Sequence, residues 1–416
     1  MTVLQTITRP GTKHRSVDTI IVGGGPSGLA VVGNLLEQRP RDRMLWVDPS
    51  FKAGRVGDQY REVPSNTKVG LFINFATTIA PFRQILESSQ EPDAVSALRK
   101  LPQDQGCELN YAADLCLMLT EGVFRHFNNV EQYYGKLKAA TFDQQTSLWT
   151  AVLNDDEIIS APKLVLCTGS SPVTNLLPVL ATLSKRPQMI HLDTALKPSL
   201  LPKSIESDAT VAVIGASHSA ILVLMTLYEL TKTTHPNLRI KWFTRYKELR
   251  YAKCMDGWIL YDNTGLKGQV AQWARENLNA EVFDKSPVSK VISRFWTAPD
   301  VEEQHYQAEL PSCTHVIQAI GYKRDALPAL GLATSTGARP EPLTIQHDDL
   351  TGRFFTKSAG DSTGLRYIPG LFGAGIAFPE RVTDPMGNVE HAVGFWKFMR
   401  FLKQAVPEWV GTSKIV

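Results

Sequence analysis

The stretch TIIVGGGPSGLAVVGNLLEQ, residues 19–38, decides the fold of this chain. With the preceding Asp18, its first four residues form a short β-branched run that is typical of a buried parallel strand. The glycine-rich run Gly23–Gly28 follows at once and leads into an apolar helical pattern, and a second strand, MLWVD, ends at Asp48. This order of strand, G-x-G-x-x-G turn, helix, strand and acid predicts a βαβ unit that binds a dinucleotide.

Each residue type in this first turn has a physical reason to be there. Glycines permit the tight turn and the close approach of the backbone to a pyrophosphate, which the free N–H groups at the helix start hold. The Asp48 carboxylate is expected to accept hydrogen bonds from the ribose hydroxyls of the adenosine half. The other cofactor contacts of this turn are expected from Gly23, Gly25, Pro26, Ser27 and Gly28.

A second unit of the same kind begins at the strand ATVAVI, residues 209–214, followed by the turn Gly215–Ala220. Only the first motif glycine remains, so a turn without a ligand stays an alternative. The next strand ends in Arg245, and a guanidinium suits the 2′-phosphate of NADPH, which it binds bidentately. His218 is interpreted as a helix-start residue outside the site. We expect NADPH contacts from Gly215, Ser217, Ser219 and Arg245.

Three further segments resemble parts of the flavoproteins that have two dinucleotide-binding domains. LVLCTGSSP (164–172) is similar to the exit from their FAD domain, HVIQAIGYKRDALP (315–328) to the return, and YIPGLFGAGIAFPE (367–380) to the closing segment. The resemblance implies an α/β fold of two Rossmann-like domains, with an NADPH domain (171–324) inserted in an FAD domain that is split into 1–170 and 325–416. It also implies cofactor contacts from Thr168, Gly169, Gly321, Tyr322, Gly373 and Gly375.

The run VPSNTKVGLFINFATTIAPF, residues 63–82, points to a narrower family. It resembles a segment of the flavin-containing monooxygenases that lies beside the reactive face of the flavin. The resemblance implies that the Asn66 amide holds NADP⁺ and the flavin C4a-hydroperoxide, and that Gly54 and Lys68 also contact cofactor. An amide can donate and accept hydrogen bonds at once, as this role requires. The alternative for Asn66 is an Asx turn in an ordinary loop.

The resemblance implies an NADPH-dependent FAD monooxygenase that inserts one atom of O₂ into a small organic substrate. It implies N-oxygenation, S-oxygenation or a reaction of the Baeyer–Villiger type. Segment 57–115, rich in Phe and Leu and long for a simple crossover, is expected to cover the flavin and shape the substrate pocket. Two alternatives remain open: a dehydrogenase or oxidase of the same fold without oxygen insertion, and a non-catalytic protein that binds FAD and NADPH. A dithiol reductase is disfavoured because the chain has no C-x-x-C pair.

Composition restricts the other classes of function. A net charge of +3 over 416 residues argues against a nucleic-acid-binding protein. No apolar run reaches the length of a membrane span, and no metal-ligand motif is present, so neither a membrane span nor a metal site is expected. Five scattered cysteines, an odd number, fit a reducing compartment, and we expect a cytoplasmic protein. Its expected partners are a small-molecule substrate and O₂, and an oligomer is possible.

Overall fold

The structure is a computed structural model, and it describes residues 15–90, 92–154, 156–334, 340–356 and 366–411. In chain order, the strands are β1 (Arg15–Ser16), β2 (Thr19–Val22), β3 (Met44–Asp48), β4 (Val130–Tyr134), β5 (Leu137–Asp143), β6 (Leu148–Leu153), β7 (Ile158–Ala161), β8 (Lys163–Leu166), β9 (Ser170–Pro172), β10 (Gln188–Ile190), β11 (Thr210–Ile214), β12 (Arg239–Thr244), β13 (Lys253–Met255), β14 (Trp258–Leu260), β15 (Ile292–Trp296), β16 (His315–Gln318), β17 (Tyr322–Arg324), β18 (Ala329–Leu332), β19 (Glu341–Pro342), β20 (Gln346–His347), β21 (Arg353–Thr356), β22 (Arg366–Gly373), β23 (Glu380–Thr383) and β24 (Val389–Ala392). The α-helices are α1 (Pro26–Gln38), α2 (Gly54–Asp58), α3 (Val69–Thr77), α4 (Ala80–Ser88), α5 (Ala94–Arg99), α6 (Leu109–His126), α7 (Pro178–Thr182), α8 (Leu192–Ala195), α9 (His218–Lys232), α10 (Gly268–Asn277), α11 (Ala280–Phe283), α12 (Glu302–Glu309) and α13 (Phe395–Trp409). Short 3₁₀ helices lie at Leu201–Ser204, Pro287–Lys290 and Leu310–Ser312.

The first sheet carries the first glycine-rich turn. Its strand order is β20-β21-β22-β8-β2-β3-β4, and β2 pairs in parallel with β3 and with β8. The β-branched residues Ile20 and Ile21 have no exposed surface, as expected for a central strand that is covered on both faces. Helices α1 and α13 pack together beside the sheet, with Leu29, Leu35 and Met399 in one core. The turn between β2 and α1 is therefore held by a rigid core.

The second sheet carries the second turn, and all of its strands are parallel. Its order is β10-β16-β11-β12-β15, with β11 between β16 and β12. In the chain, these strands lie between β8 and β22 of the first sheet. The α/β class with two Rossmann-like units, one inserted in the other, is thereby confirmed. The domain boundaries at 170/171 and 324/325 stay predictions.

The two segments that cross between the sheets lie side by side. Strand β9, which follows the first sheet, pairs antiparallel with β17, which follows the second, and Tyr322 lies opposite Pro172. This ribbon joins the end of β16 to the end of β8. It therefore places Gly169 beside Asp325 at one end of the ribbon and Gly321 beside Val173 at the other.

A third sheet, of order β1-β7-β6-β5-β18-β19, was not predicted from the sequence. It packs against the first sheet through a core that includes Trp149, Ile159 and Leu164. Alternating burial along β6 is typical of a strand with one face on a core. This sheet packs against β2 and β8 of the first sheet through the same core.

Helices α2 to α6 fill most of segment 57–115, where the sequence predicted a cover. Phe72, Phe75 and Phe82 have no exposed surface and pack in the same core as α1 and α13. Within the described part of the chain, no single helix is long and apolar enough to cross a membrane. One bent pair, α3 with α4, meets that criterion by length and composition alone.

Candidate functional site

Two glycines of the first turn are required by the packing of the protein itself. Gly23 has a φ of +116°, and a Cβ there would lie 2.2 Å from the carbonyl oxygen of Cys167. A Cβ on Gly28 would lie 1.8 Å from the carbonyl oxygen of Gly23. The same Gly23 oxygen accepts a hydrogen bond of 2.8 Å from Trp46 Nε1. Because there is no room for a Cβ at either glycine, α1 packs closely against β2 and β8, and the Trp46 bond stabilises the turn.

Gly25, in contrast, faces open space. A Cβ at this position would have only the Gly54 Cα within 4 Å, at 3.8 Å. Gly25 is the N-cap of α1 and is followed by Pro26, and no side chain caps the helix start. Free N–H groups at a helix N-terminus beside a cleft without side chains suit a phosphate. The structure therefore fits a pyrophosphate at this turn and brings Gly54 next to it.

The ends of β8 and β22 complete this first cluster. Gly375 lies against Ser27, because a Cβ on Gly375 would be 2.5 Å from the Ser27 hydroxyl oxygen. The Thr168 hydroxyl is buried and has no hydrogen-bond partner among the described residues. An orphan buried hydroxyl of this kind fits a ligand group. The predicted residues that the structure brings together here are Gly23, Gly25, Pro26, Ser27, Gly28, Asp48, Gly54, Thr168, Gly169, Gly373 and Gly375.

Asp48 binds the backbone of the protein at both carboxylate oxygens. Its Oδ2 accepts a hydrogen bond of 2.6 Å from the Gly24 N–H. Its Oδ1 accepts from the N–H groups of Ser50 and Phe51 at 2.9 and 2.7 Å. The carboxylate therefore ties the glycine turn to the loop after β3. The contact with ribose that the sequence suggested stays a prediction.

The second turn is built like the first despite its missing glycines. Gly215 has a φ of +133°, and a Cβ there would lie 2.2 Å from the carbonyl oxygen of Ala319. Ala220 stands where the third motif glycine would be, and its Cβ would be 3.4 Å from that added atom. Alanine is thus tolerated at this position. A cavity of about 610 Å³ opens above the turn and is lined by four predicted residues, Gly215, Ser217, Arg245 and Gly321.

Arg245 has a partner within the protein. Its Nε and Nη2 donate to the two carboxylate oxygens of Glu302 at 3.0 and 2.8 Å, and Tyr306 donates to the same carboxylate at 2.8 Å. The hydrogen bond with Glu302 raises the pKa of Arg245. The hydrogen bond with Arg245 lowers the pKa of Glu302, although burial opposes this change. Both groups are therefore charged at neutral pH.

The third cluster surrounds a cavity of about 500 Å³ between the two dinucleotide units. Asn66, Lys68, Ser219 and Tyr322, all predicted, line it, and so does Gly394 at the start of α13. The Asn66 side chain is exposed to the cavity and makes no hydrogen bond with the described part of the chain. Its donor and its acceptor are thus both free for a ligand.

His218, which sequence reasoning left outside the site, lines this same cavity and a neighbouring one of about 970 Å³. Both ring nitrogens are buried without a partner among the described residues. Burial, with the positive charge of Lys267, lowers the pKa of His218 to about 4. The imidazole is therefore neutral at pH 7 and offers one donor and one acceptor. Its place within the turn Gly215–Ala220, as the first residue of α9, is the signal that could have found it.

A hydrogen-bonded group joins the two units beside this cavity. The Tyr60 hydroxyl donates to Asp193 at 3.0 Å and lies 3.2 Å from the Tyr322 hydroxyl. Arg55 donates to the same Asp193 carboxylate. Burial opposes the charge of Arg55, but the hydrogen bonds to Asp193 and Tyr60 raise its pKa. The sequence predicted a cofactor contact for Tyr322, but it predicted none of these hydrogen bonds.

Comparison with known proteins identifies relatives over nearly the whole chain, although no protein-family model matches it. The chain is 48% identical over 398 residues to monooxygenase AgnR1 of Paecilomyces divaricatus. The aligned region covers 94% of this chain and 97% of AgnR1. The flavin-containing monooxygenase of Stenotrophomonas maltophilia superposes with a TM-score of 0.55 at 16% identity, over 95% of this chain and 99% of that one.

A further similar structure is DfoA of Erwinia amylovora, the cadaverine monooxygenase of desferrioxamine biosynthesis, which was solved with FAD bound. It superposes with a TM-score of 0.53 at 11% identity and covers 76% of this chain and 80% of its own. At such low identity the two structural likenesses show the fold alone, whereas the identity with AgnR1 shows kinship. The chain therefore belongs to the monooxygenase family of AgnR1 and is an oxidoreductase, and its fold is that of the flavin-containing monooxygenases, flavoproteins with two dinucleotide-binding domains.

Proposed function

We propose that the protein is an FAD- and NADPH-dependent monooxygenase that inserts one atom of O₂ into a small organic substrate. The other oxygen atom leaves as water, and NADPH supplies the two electrons that this stoichiometry requires. The observation that carries the proposal is the position of Asn66. Its unpartnered amide lines the cavity at which Ser219 and Tyr322 of the second unit meet Gly394 of the first.

The first cluster is the proposed FAD site. Gly25 and Gly54 would leave room for the pyrophosphate, and the N–H groups at the start of α1 would bind it. Ser27 and the orphan hydroxyl of Thr168 would donate hydrogen bonds to the same cofactor. When bound, the flavin supplies the activation of O₂, and the chain supplies its binding and surroundings.

The second cluster is the proposed NADPH site. The N–H groups at the start of α9, after Ser217, would bind the pyrophosphate, and Arg245 faces the same cavity. Ser219 and Tyr322 lie on the side of this helix start that faces Asn66. The coenzyme would thus reach from the second turn into the cavity between the two units.

Within that cavity, the residues of the chain would orient the substrate and exclude water. Asn66 would donate from its amide nitrogen and accept at its amide oxygen. The lining combines charged side chains, such as Lys68, Asp262 and Arg400, with the apolar side chains of Leu71, Leu222 and Trp396. The apolar part would suit an apolar portion of the substrate and would limit the access of water to it.

The chain gives no evidence for a thiol-based route. All five cysteines lie in the described part of the chain and are free. Cys167 is the thiol beside Ser27, and burial raises its pKa to about 12. A thiol that stays protonated is a poor nucleophile. Transfer of oxygen to a bound substrate, rather than dithiol exchange, is the chemistry that we propose.

Labelled oxygen tests the proposal. The holoprotein is incubated with NADPH, ¹⁸O₂ and a panel that contains an amine, a thioether and a ketone. One ¹⁸O atom in a product supports the proposal. The substrate that receives the atom distinguishes N-oxygenation, S-oxygenation and Baeyer–Villiger oxidation. NADPH oxidation that yields only hydrogen peroxide with every substrate favours the oxidase. A cytoplasmic location and oligomer formation stay predictions.

A further inference from the structure

The cavity at the second turn has a charge balance that does not suit a 2′-phosphate. Arg245 is the one cationic side chain among the described residues that line this cavity, while two carboxylates, Glu302 and Glu303, line it as well. A phosphate monoester carries between one and two negative charges at neutral pH. The wall therefore offers the 2′-phosphate of NADPH little net attraction.

Geometry strengthens this point. The pair of N–H groups at Nε and Nη2 of Arg245 is already bound to both oxygens of Glu302, at 3.0 and 2.8 Å. A guanidinium bound bidentately to a carboxylate has used one of the two edges with which it recognises phosphate. An anion that approaches the other edge meets the Glu302 carboxylate beside it, and like charges repel.

Glu302 is held in place rather than free to swing away. Its side chain is 19% exposed and accepts a hydrogen bond of 2.8 Å from the Tyr306 hydroxyl. The Tyr306 ring packs edge-on against Phe243 of β12, with 5.4 Å between the ring centroids. Arg245 directly follows β12, which ends at Thr244. This packing holds the carboxylate, whose two bonds orient the guanidinium of Arg245 although the Arg245 side chain is 63% exposed.

We infer that Glu302 sets the coenzyme specificity of this cavity, because it offsets the attraction of Arg245 for a 2′-phosphate. The cavity then binds adenine dinucleotides with and without that phosphate with similar affinity. The inference rests on the proposed coenzyme site at the second turn.

Binding without turnover tests it. NADP⁺ and NAD⁺, which differ only by the 2′-phosphate, are titrated into the oxidised holoprotein by calorimetry. We expect the two dissociation constants of the wild type to agree within about tenfold. Glu302→Gln keeps the shape and a hydrogen-bonding amide but removes the charge. It should tighten NADP⁺ binding about tenfold and leave NAD⁺ within about twofold.

Glu303→Gln is the matched control, since it removes one negative charge from the same helix and cavity without touching Arg245. It should change the ratio of the two constants by less than about threefold. Arg245→Gln should weaken NADP⁺ but not NAD⁺. Thermal unfolding of each variant shows that it is folded.

The outcomes separate the inference from the proposed function. If both coenzymes bind and Glu302→Gln leaves their ratio unchanged, the coenzyme site stands and the role of Glu302 is refuted. A wild-type preference for NADP⁺ above about a hundredfold refutes that role as well. If neither coenzyme binds the wild-type holoprotein, the coenzyme site itself is refuted and the inference falls with it.

Discussion

The indole Nε1 of Trp242 donates a hydrogen bond of 2.7 Å to the carbonyl oxygen of Gly215. The first unit repeats this bond, because Trp46 Nε1 donates to the carbonyl oxygen of Gly23 at 2.8 Å. Both tryptophans are fully buried in the strand that follows the helix of their unit. Two turns with different glycine content are therefore closed by the same contact. This likeness shows that the two turns have the same local structure, and it supports the proposal that the second turn also binds a dinucleotide.

The two tryptophans make a matched pair of variants. Phenylalanine leaves the carbonyl oxygen of the turn buried without its donor, which costs about 1–3 kcal/mol locally. We expect Trp46→Phe to lower the FAD bound per chain and Trp242→Phe to weaken NADP⁺ binding while FAD stays bound. Flavin absorbance and calorimetry measure the two effects. Equal loss of both cofactors in both variants would contradict the assignment of one turn to each.

Replacement of Gly25 tests the FAD turn itself. The backbone of Gly25 is extended, with φ −81° and ψ −177°, and no described atom lies nearer than 3.8 Å to an added Cβ. Gly25→Val should therefore fold but fail to load FAD, because its side chain fills the approach to the pyrophosphate. Gly25→Val that is purified with the yellow colour of a full flavin complement would refute the turn as the pyrophosphate site.

Asn66→Asp separates electron transfer from oxygen insertion. The carboxylate cannot donate a hydrogen bond and brings a negative charge into the cavity. We expect unchanged reduction of the flavin by NADPH and a fall of about tenfold or more in the product formed per NADPH oxidised. Ser65→Ala is the control, because Ser65 shapes the same loop through its bonds with Thr67. Wild-type coupling in Asn66→Asp would remove the amide from the mechanism.

His218 predicts how stability depends on pH. Its pKa is lowered to about 4 by burial and by Lys267, against about 6.5 in an unfolded chain. Between these values the unfolded chain binds a proton that the folded chain does not, so the free energy of unfolding falls as the pH falls. The resulting loss in the free energy of unfolding is on the order of 3 kcal/mol at pH 4. The loss is absent well above pH 6.5, where the histidine is neutral in both states.

Urea unfolding of wild type and His218→Gln between pH 7.5 and 4.5 measures this contribution. The variant should lose less stability on acidification, since its amide does not titrate. His347, whose pKa burial also lowers to about 4, is present in both proteins and cancels in the comparison. Parallel stability curves for the two proteins would show that His218 does not have the depressed pKa.

Much of this arrangement could be predicted from the sequence because it rests on short-range patterns. The first turn, its strand and helix, and the acid at Asp48 all lie within 30 residues of one another, and glycine spacing limits what the backbone can do. The second turn was predicted from the same order of elements. The insertion of one unit in the other was predicted because segments 164–172 and 315–328 resemble the two crossings between the domains of related flavoproteins.

What could not be predicted depends on contacts between distant parts of the chain. Glu302 lies 57 residues after Arg245, and no local pattern shows that the two side chains are bonded. The group of Tyr60 and Asp193 requires the two units to be docked together. His218 was set aside because a histidine at this position is more often only a helix-start residue than an acid–base group. Only the packed structure shows that its ring faces a cavity.

The most direct test of the central claim is anaerobic mixing of the purified holoprotein with excess NADPH, followed by visible absorbance. We predict that the flavin bleaches, and that readmission of ¹⁸O₂ with an accepted substrate restores the oxidised spectrum and puts one labelled atom in the product. A flavin that stays oxidised in saturating NADPH would contradict the claim that NADPH bound at the second turn reduces the flavin bound at the first.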